Sequence, residues 1–464
     1  MKENISKCMT NKDIDSLINT ISVYYMEKGY ITSRAFLRQQ DAQSIFKGNL
    51  IITVIEGKID NLNIDGGDLL ALKMIFPNMK GKILNLRDIE QGLEQLNRLH
   101  SNQVKIDIQP SAKVGYSDVI LKINPFKLPL SINLIYDNNG QKSKGENQVN
   151  TFLQLDNVFR LADSWTIFAS KDTDFKNSHR NWYINSGVSI PYGYWLFSYQ
   201  YSKNESFQSI PINYFGTIRY TSRGNSHSIL ANRVLYRDGK QKLGLNVSFT
   251  SRKTENILGD YKISSSSNLS TVNLGLNYSS MLFGGYFRFN PTITKGLAIF
   301  GATKDDNLEH SPKSNFYKVS VNSSYFKPIT NNIYYLTSAY AQTSPNSLYS
   351  SEKLSIGGLY SVRGFKDKFI TGNLGGYWRN EINWKLVNIP KFGELSFNGS
   401  LDTGWIKGEL ARSSDGGNLT GTSLGLNLNN KISNISFSVG KPLNYPNYLK
   451  PDNLVIYWST SFNL

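Results

Sequence analysis

The sequence predicts small N-terminal α+β modules followed by a transmembrane antiparallel β-barrel of about sixteen strands. Three observations carry this. Beyond residue 126 the chain has no convincing amphipathic helix. It is a succession of alternating apolar and polar segments of roughly ten residues, the length a tilted strand needs to cross a bilayer. The gaps between segments alternate between short and long, as in barrels with tight turns on one side of the membrane and larger loops on the other. The composition also agrees: 27 Tyr, 24 Phe and 7 Trp suit interfacial girdles, and a mean hydropathy of −0.35 is what a lipid-facing/lumen-facing alternation averages to. No run approaches the ~18 apolar residues of a membrane helix.

Residues 1–57 read as a first module. Thr10 to Tyr25 has Ile14, Leu17, Ile18, Ile21 and Tyr25 on one helical face. Thr10 with Asp13 resembles a capping box, and Gly29 is a stop. A shorter helical piece is expected near Ser33 to Gln43. Strands follow at Asn49–Glu56 and Lys58–Ile64, divided at Glu56-Gly57. Residues 58–125 read as a second module of strand, helix, helix, strand, strand. Leu69–Phe76 is a short helix ending before Pro77. Asn85 to Leu99 is amphipathic, with Leu86, Ile89, Leu93, Leu96 and Leu99 as its stripe and Asn85 as its N-cap. Val104, Ile106 and Ile108 alternate, as do Val119, Leu121 and Ile123. Pro125 and Pro129 bracket a linker to the barrel, residues 126–464.

Within the barrel, short gaps fall at 191–194, 237–240, 327–332 and 388–391. Long gaps fall at 203–227, 253–268, 295–314, 343–373, 403–419 and 441–452. By this parity the N-terminal modules and Leu464 share one side of the membrane. The gap 343–373 is then the sixth loop on the other side, and it contains Val362-Arg363-Gly364-Phe365. Alternation turns Leu454, Ile456, Trp458 and Phe462 to lipid, and Tyr457, Ser459 and Ser461 inward. Trp378, Ile382 and Trp384 face out, whereas Arg379 and Glu381 face in. On the second strand after the loop, Leu395, Phe397 and Leu401 oppose Asp402. A charge on the lipid face near the midplane costs up to ~4 kcal/mol, so Arg379, Glu381 and Asp402 belong in the lumen. Residues 332–343 alternate poorly.

Several function classes find no support. The net charge is +16, but the basic residues are scattered and form no compact nucleic-acid-binding domain. Cys8 is the single cysteine, so no intrachain disulfide forms, and the four histidines share no metal-ligand spacing. Asp402-Thr403-Gly404 spells an aspartic-protease triplet, but that chemistry needs a second carboxylate and no second such triplet occurs. No Walker, HExxH or GxSxG sequence is present, and no Ser/His or Asp/His constellation can be assembled from the four histidines. No catalytic residue and no cofactor is therefore assigned. Residues 1–20 contain no apolar core of a signal peptide.

The EKGYITSR, VIEGKI and QGLEQLNRL segments resemble the POTRA modules of two-partner secretion transporters. The Val362–Phe365 loop, followed by an inward Asp402, resembles the BamA-like superfamily, most closely its two-partner secretion branch of haemolysin secretion/activation proteins. The stretch Asp137 to Gly145 also resembles that family's first hairpin, and the resemblance covers residues 8–464. It implies that loop 343–373 folds into the lumen with Arg363 as its tip, Gly364 permitting the turn beside Phe365, and Asp402 as the wall partner. The pair would act either as a structural anchor or as a moving gate. It implies a bacterial outer-membrane pore with periplasmic POTRA modules, a protein-transport role and no enzyme activity. The partners would be a secreted exoprotein bearing an N-terminal two-partner secretion domain, and outer-membrane lipid around a monomeric barrel. An outer-membrane insertase or a passive channel is the alternative. The first module departs from the family in lacking an opening strand, which leads to the expectation that the usual N-terminus is missing. Cys8 is then either an orphaned half-cystine or a free thiol.

Overall fold

A computed structural model describes residues 9–40, 45, 47–123, 128–212, 216–308, 310–408 and 415–464. Cys8, Pro125 and residues 41–43 lie outside the described residues.

The first helix, α1 (Asn11–Glu27), opens with Thr10 and Asp13 in a reciprocal capping box and ends before Gly29. The helical piece expected near Ser33 to Gln43 is not formed at its start. Arg34–Leu37 is a strand, β1, paired antiparallel with β2 (Ile52–Ile55). Tertiary contacts override local propensity there: Ala35 is buried and its N–H donates to Ser22 Oγ on α1 at 3.1 Å.

The second module has β3 (Lys58–Asp65), α2 (Leu69–Ile75), α3 (Leu86–Asn97), β4 (Val104–Pro110) and β5 (Tyr116–Ile123). Its sheet order is β3-β5-β4, with β3 parallel and β4 antiparallel to β5. Asn85 caps α3 through its side chain, at 2.9 Å from the Arg87 N–H. Ile89, Leu96 and Leu99 pack with Ile59, Leu72, Val119 and Leu121 in one buried core.

Sixteen long strands close the barrel. The first eight are β6 (Leu130–Asp137), β7 (Gln148–Asp156), β8 (Ser164–Asp172), β9 (His179–Tyr192), β10 (Trp195–Ile212), β11 (Gly216–Arg237), β12 (Gln241–Leu258) and, after a two-residue β13 (Tyr261–Lys262), β14 (Ser267–Leu282). Next come β15 (Gly285–Leu297), β16 (Tyr317–Pro328) and β17 (Ile333–Thr343). The short β18 (Leu354–Ile356) and β19 (Ile370–Gly372) pair with each other inside the sixth loop. The wall resumes with β20 (Gly375–Ile389), β21 (Gly393–Ile406), β22 (Gly417–Asn429), β23 (Ser433–Asn444) and β24 (Val455–Asn463). Closure is made by β24 against β6, from Ser459↔Asp137 to Asn463↔Asn133.

Two long gaps are corrected. Residues 203–212 and 216–227 continue β10 and β11 as one ladder, from Lys203↔Asn225 to Ile212↔Gly216. Residues 253–258 likewise continue β12. This part of the hairpin extends past the lipid-facing segments, so polar residues occupy both faces and the period-2 signal disappears. Arg219 lies 3.8 Å from the Phe207 ring centroid and stiffens the hairpin. The poor alternation of 332–343 also has a cause: Tyr340 faces inward onto Tyr377 and packs against the sixth loop.

The second module is docked on the short-turn side of the barrel. Gly193 N–H donates to Met74 O at 2.9 Å, and Ser101 N–H to Asp156 Oδ2 at 2.7 Å. Arg98 of the α3 C-cap donates to Ser189 Oγ and to Ala162 O, both at 2.6 Å. One face of α3 carries Asp88, Glu90 and Glu94 to the barrel: Asp88 accepts from Tyr194 Oη, Glu94 meets Arg237 at 2.8 Å and Lys242, and Glu90 lies 3.6 Å from Arg237. Burial opposes ionisation of Glu94, but Lys242 and Arg237 outweigh it and hold the carboxyl below its ordinary value.

A depressed carboxylate pKa gives stabilisation that is present above the unfolded value and lost as pH falls through the folded one. Acidification through and below the ordinary carboxylate range is therefore expected to loosen the docking. A variant with Arg237→Ala and Lys242→Ala is expected to loosen it at neutral pH. Lower protection of the amides of α3 and its barrel turns, taken against the intrinsic exchange rate at the same pH, reads both effects. Unchanged exchange would mean that the backbone contacts at Gly193 and Ser101 suffice.

Candidate functional site: the sixth loop in the lumen

The sixth loop leaves the wall after Thr343, turns inward and returns at Gly375. The β18–β19 hairpin forms its stem and Tyr360 to Phe365 its tip. Ser361 N–H donates to Gly358 O, and Gly358 N–H to Val362 O, which closes the tip into a compact turn. The loop carries its own apolar core into the lumen. Leu354, Ile356, Val362, Phe365 and Ile370 pack on Ile406, Leu419 and Leu449, with Tyr445 and Tyr448 beside them. Phe365 is fully buried, a contribution of about 1.5–3 kcal/mol for a side chain of that size. Ile406 and Leu419 are apolar residues on the lumen side of β21 and β22, and the loop is what they face.

The tip is pinned by Arg363, which is 4% exposed. Its guanidinium donates from Nε to Asp402 Oδ2 at 2.7 Å and from Nη2 to Asp402 Oδ1 at 2.8 Å, a bidentate fork. Its own backbone N–H adds a third bond to Asp402 Oδ2 at 3.1 Å. Asp402 is fully buried and also accepts from Asn380 N–H at 3.2 Å. Glu381, on the neighbouring strand, takes the remaining Arg363 nitrogen, Nη1. One cation thus sits between two carboxylates. Arg379 lies beside this group and donates to Tyr360 O at 3.4 Å.

Gly364 has φ +98°, a conformation that L side chains rarely adopt, and a Cβ there would come within 2.5 Å of Lys441 O. The wall is also cut to fit. Gly421 of β22 stands opposite Asp402 in the ladder, and a Cβ on it would lie 1.8 Å from Arg363 O. Sequence reasoning named Arg363, Gly364, Phe365, Asp402, Arg379 and Glu381 but missed Gly421. A glycine inside a strand marks a close backbone approach, and that signal was present in Asn418 to Asn429.

Beyond the tip the loop is tied to its neighbours. Lys366 pairs with Glu146 at 2.6 Å, and Asp367 accepts from Lys142 N–H at 2.9 Å, both on the first loop. Lys142 in turn pairs with Asp452 on the eighth loop at 2.9 Å. The structure also corrects the reading of the histidines. Ser178 Oγ lies 3.3 Å from His179 Nδ1, and His179 Nε2 lies 3.2 Å from Asp174 Oδ2. Asp174 and Ser178 lie in the second loop and His179 opens β9. Asp174 also accepts from the backbone of Glu146 and Asn147, so the cluster staples the second loop to the first.

The model for the haemolysin secretion/activation protein ShlB/FhaC/HecB family matches residues 115–428. Two POTRA domain models match residues 1–57, in its ShlB-type form, and 58–110. The outer membrane transporter CdiB of Escherichia coli is 40% identical over 458 residues, covering 98% of this chain and 77% of that protein. The hemolysin transporter protein ShlB of Serratia marcescens is 30% identical over 384 residues, 81% of this chain and 67% of that protein. The solved structure of Escherichia coli CdiB superposes with a TM-score of 0.94 at 38% identity, over 99% of this chain and 85% of that one. BamA of Haemophilus ducreyi shares the fold at a TM-score of 0.51 and 15% identity. POTRA modules, a closed sixteen-strand barrel and these matches agree: the chain belongs to the haemolysin secretion/activation protein ShlB/FhaC/HecB family of the outer membrane.

Proposed function

We propose that this chain carries a large partner exoprotein across the outer membrane through its own barrel, and that the Arg363–Asp402–Glu381 group holds the sixth loop in the path until transport. The observation that carries this is a lumen-filling loop anchored by a buried bidentate pair, in a barrel with POTRA modules docked at its entrance. The relatives CdiB and ShlB are named an outer membrane transporter and a hemolysin transporter protein, which supports this reading.

The modules receive the client's N-terminal secretion domain. In the second module the outer side of β3 is covered, because Ile59 N–H donates to Lys82 O and Gly81 N–H to Ile59 O. The β4 edge lacks a strand partner among the described residues. An extended client adds there through main-chain hydrogen bonds, and crosses the pore unfolded. A single chain closes the barrel, so a monomer surrounded by lipid suffices.

The test is release of a co-expressed exoprotein into the medium by the parent chain and by Arg363→Ala, both with an added signal sequence and at equal barrel levels. Release by the parent and little by the variant is expected. Equal release would reduce the pair to scaffolding. No release by an inserted parent would favour an insertase or a passive channel.

A further inference from the structure

A cavity of about 1010 Å³ lies where α3 of the second module meets the inner wall of the barrel. Its lining is rich in carboxamides. Gln91, Gln95 and Asn97 project from α3, and Asn232, Asn277 and Asn290 from the wall. The wall residues belong to a band. Ile229 and Leu235, Val247, Leu274 and Leu276, Ile293, and Val319 are the exposed, lipid-facing residues of β11, β12, β14, β15 and β16. The alternate residues Asn232, Asn246, Asn277, Asn290 and Asn322 therefore face the lumen. Asn232 pairs with Asn246 and Asn290 with Asn322. Asn277 and Asn290 face each other across the step where Pro291 supplies no ladder N–H.

Gln91 accepts from Arg237, and Asn97 is bonded to the main chain of Val104, but most of the other amides are not consumed by the fold. Asn246 Nδ2 reaches Asn277 Oδ1 at 3.3 Å, but no side-chain hydrogen bond is made by Asn232, Asn290 or Asn322 among the described residues. Gln95 is 7% exposed, lines the cavity and likewise has no side-chain partner among the described residues. Of the cations on the cavity, Arg237 and Lys242 meet Glu94, Arg98 donates to Ser189 and Ala162, and Arg233 lies over the Trp195 ring, whereas Lys240 and Arg288 have no side-chain partner among the described residues. Beside these two cations, what remains open is a set of neutral donors and acceptors on Asn232, Asn290, Asn322 and Gln95.

We propose that this carboxamide band, with α3 as its floor, is an entry site that binds the main chain of an extended polypeptide as it passes from the second module into the pore. A carboxamide offers two donors and one acceptor oxygen, the complement of a peptide group, and it ignores the identity of the passing side chain. Conduction through a pore needs sites weak and numerous enough to be left again, and single amide hydrogen bonds in series meet that need.

The inference rests on the transport reading, and its test separates the two. A photo-crosslinking residue is placed at Asn277 or at lipid-facing Leu276, and cells secrete the exoprotein released by the parent chain in the experiment above. An adduct with the exoprotein is expected at Asn277 and not at Leu276. The triple variant Asn232→Ala, Asn277→Ala, Asn290→Ala is expected to secrete about five-fold more slowly at parental barrel levels, the scale of a few lost weak hydrogen bonds. Gln95→Leu, which leaves the wall intact, is expected to slow secretion in the same direction even where the triple variant fails to insert. Parental secretion with no adduct at Asn277, or with both variants at the parental rate, overturns the entry site and leaves the transporter standing. Absence of secretion by the parent removes the transport reading and the entry site with it.

Discussion

Asp402→Ala is expected to detach the tip of the sixth loop. The substitution removes three hydrogen bonds from Arg363 and leaves its guanidinium buried with Glu381 as its remaining carboxylate. Breaking a buried pair in this way costs about 3–5 kcal/mol, because the desolvated charge loses its compensation. That exceeds the 1.5–3 kcal/mol or so contributed by burying Phe365, the largest apolar side chain at the tip. Purified protein in planar bilayers should therefore show larger and noisier conductance than the parent. Arg363→Lys should resemble it, since an ammonium cannot reproduce a planar fork with two bonds to one carboxylate and a third to a neighbour. Glu381→Gln should be milder: Glu381 is 19% exposed and makes one of the contacts rather than three. Parental conductance in Asp402→Ala would mean that the loop's apolar core holds it without the ion pair.

Gly421→Val should give the same open phenotype with every charged partner intact. A Cβ at 421 falls 1.8 Å from Arg363 O and 3.3 Å from the Phe365 ring, so the tip must move away from the wall. A main-chain oxygen held by the compact turn cannot yield as the end of a flexible side chain does. Gly399→Val is the matched control on β21. Its Cβ meets nothing nearer than 3.7 Å, at Leu424 Cδ2, so the strand should accept it. Equal conductance in Gly421→Val and Gly399→Val would show that the loop tip is not seated against β22 in solution. An effect confined to Gly421→Val would show that shape and charge together fix the tip.

The outline of this protein was legible because alternation reports a difference between two environments. Trp378, Ile382 and Trp384 against Arg379 and Glu381 revealed lipid on one side and lumen on the other, and Asp402 followed from the same parity. Helix α3 was equally plain, since its stripe and its Asn85 cap are local. Where both faces share one environment the signal fails. The water-exposed ends of β10 and β11 looked like a loop, and inward-facing Tyr340 blurred β17.

Other features depend on residues far apart in the chain, and these only the tertiary structure decided. Arg363 and Asp402 could each be named, but that Glu381 would share the same cation required the register of β20 on β21. Gly421 acquires meaning only once Asp402 stands across from it and Arg363 O above it. The docking of α3 on Arg237 and Lys242 joins surfaces whose complementarity no periodicity encodes. The carboxamide band is five scattered asparagines until five strands bring them into register. Periodicity along one strand fixes which way a side chain points; what it meets there is set by chain closure and loop return, which carry no local signature.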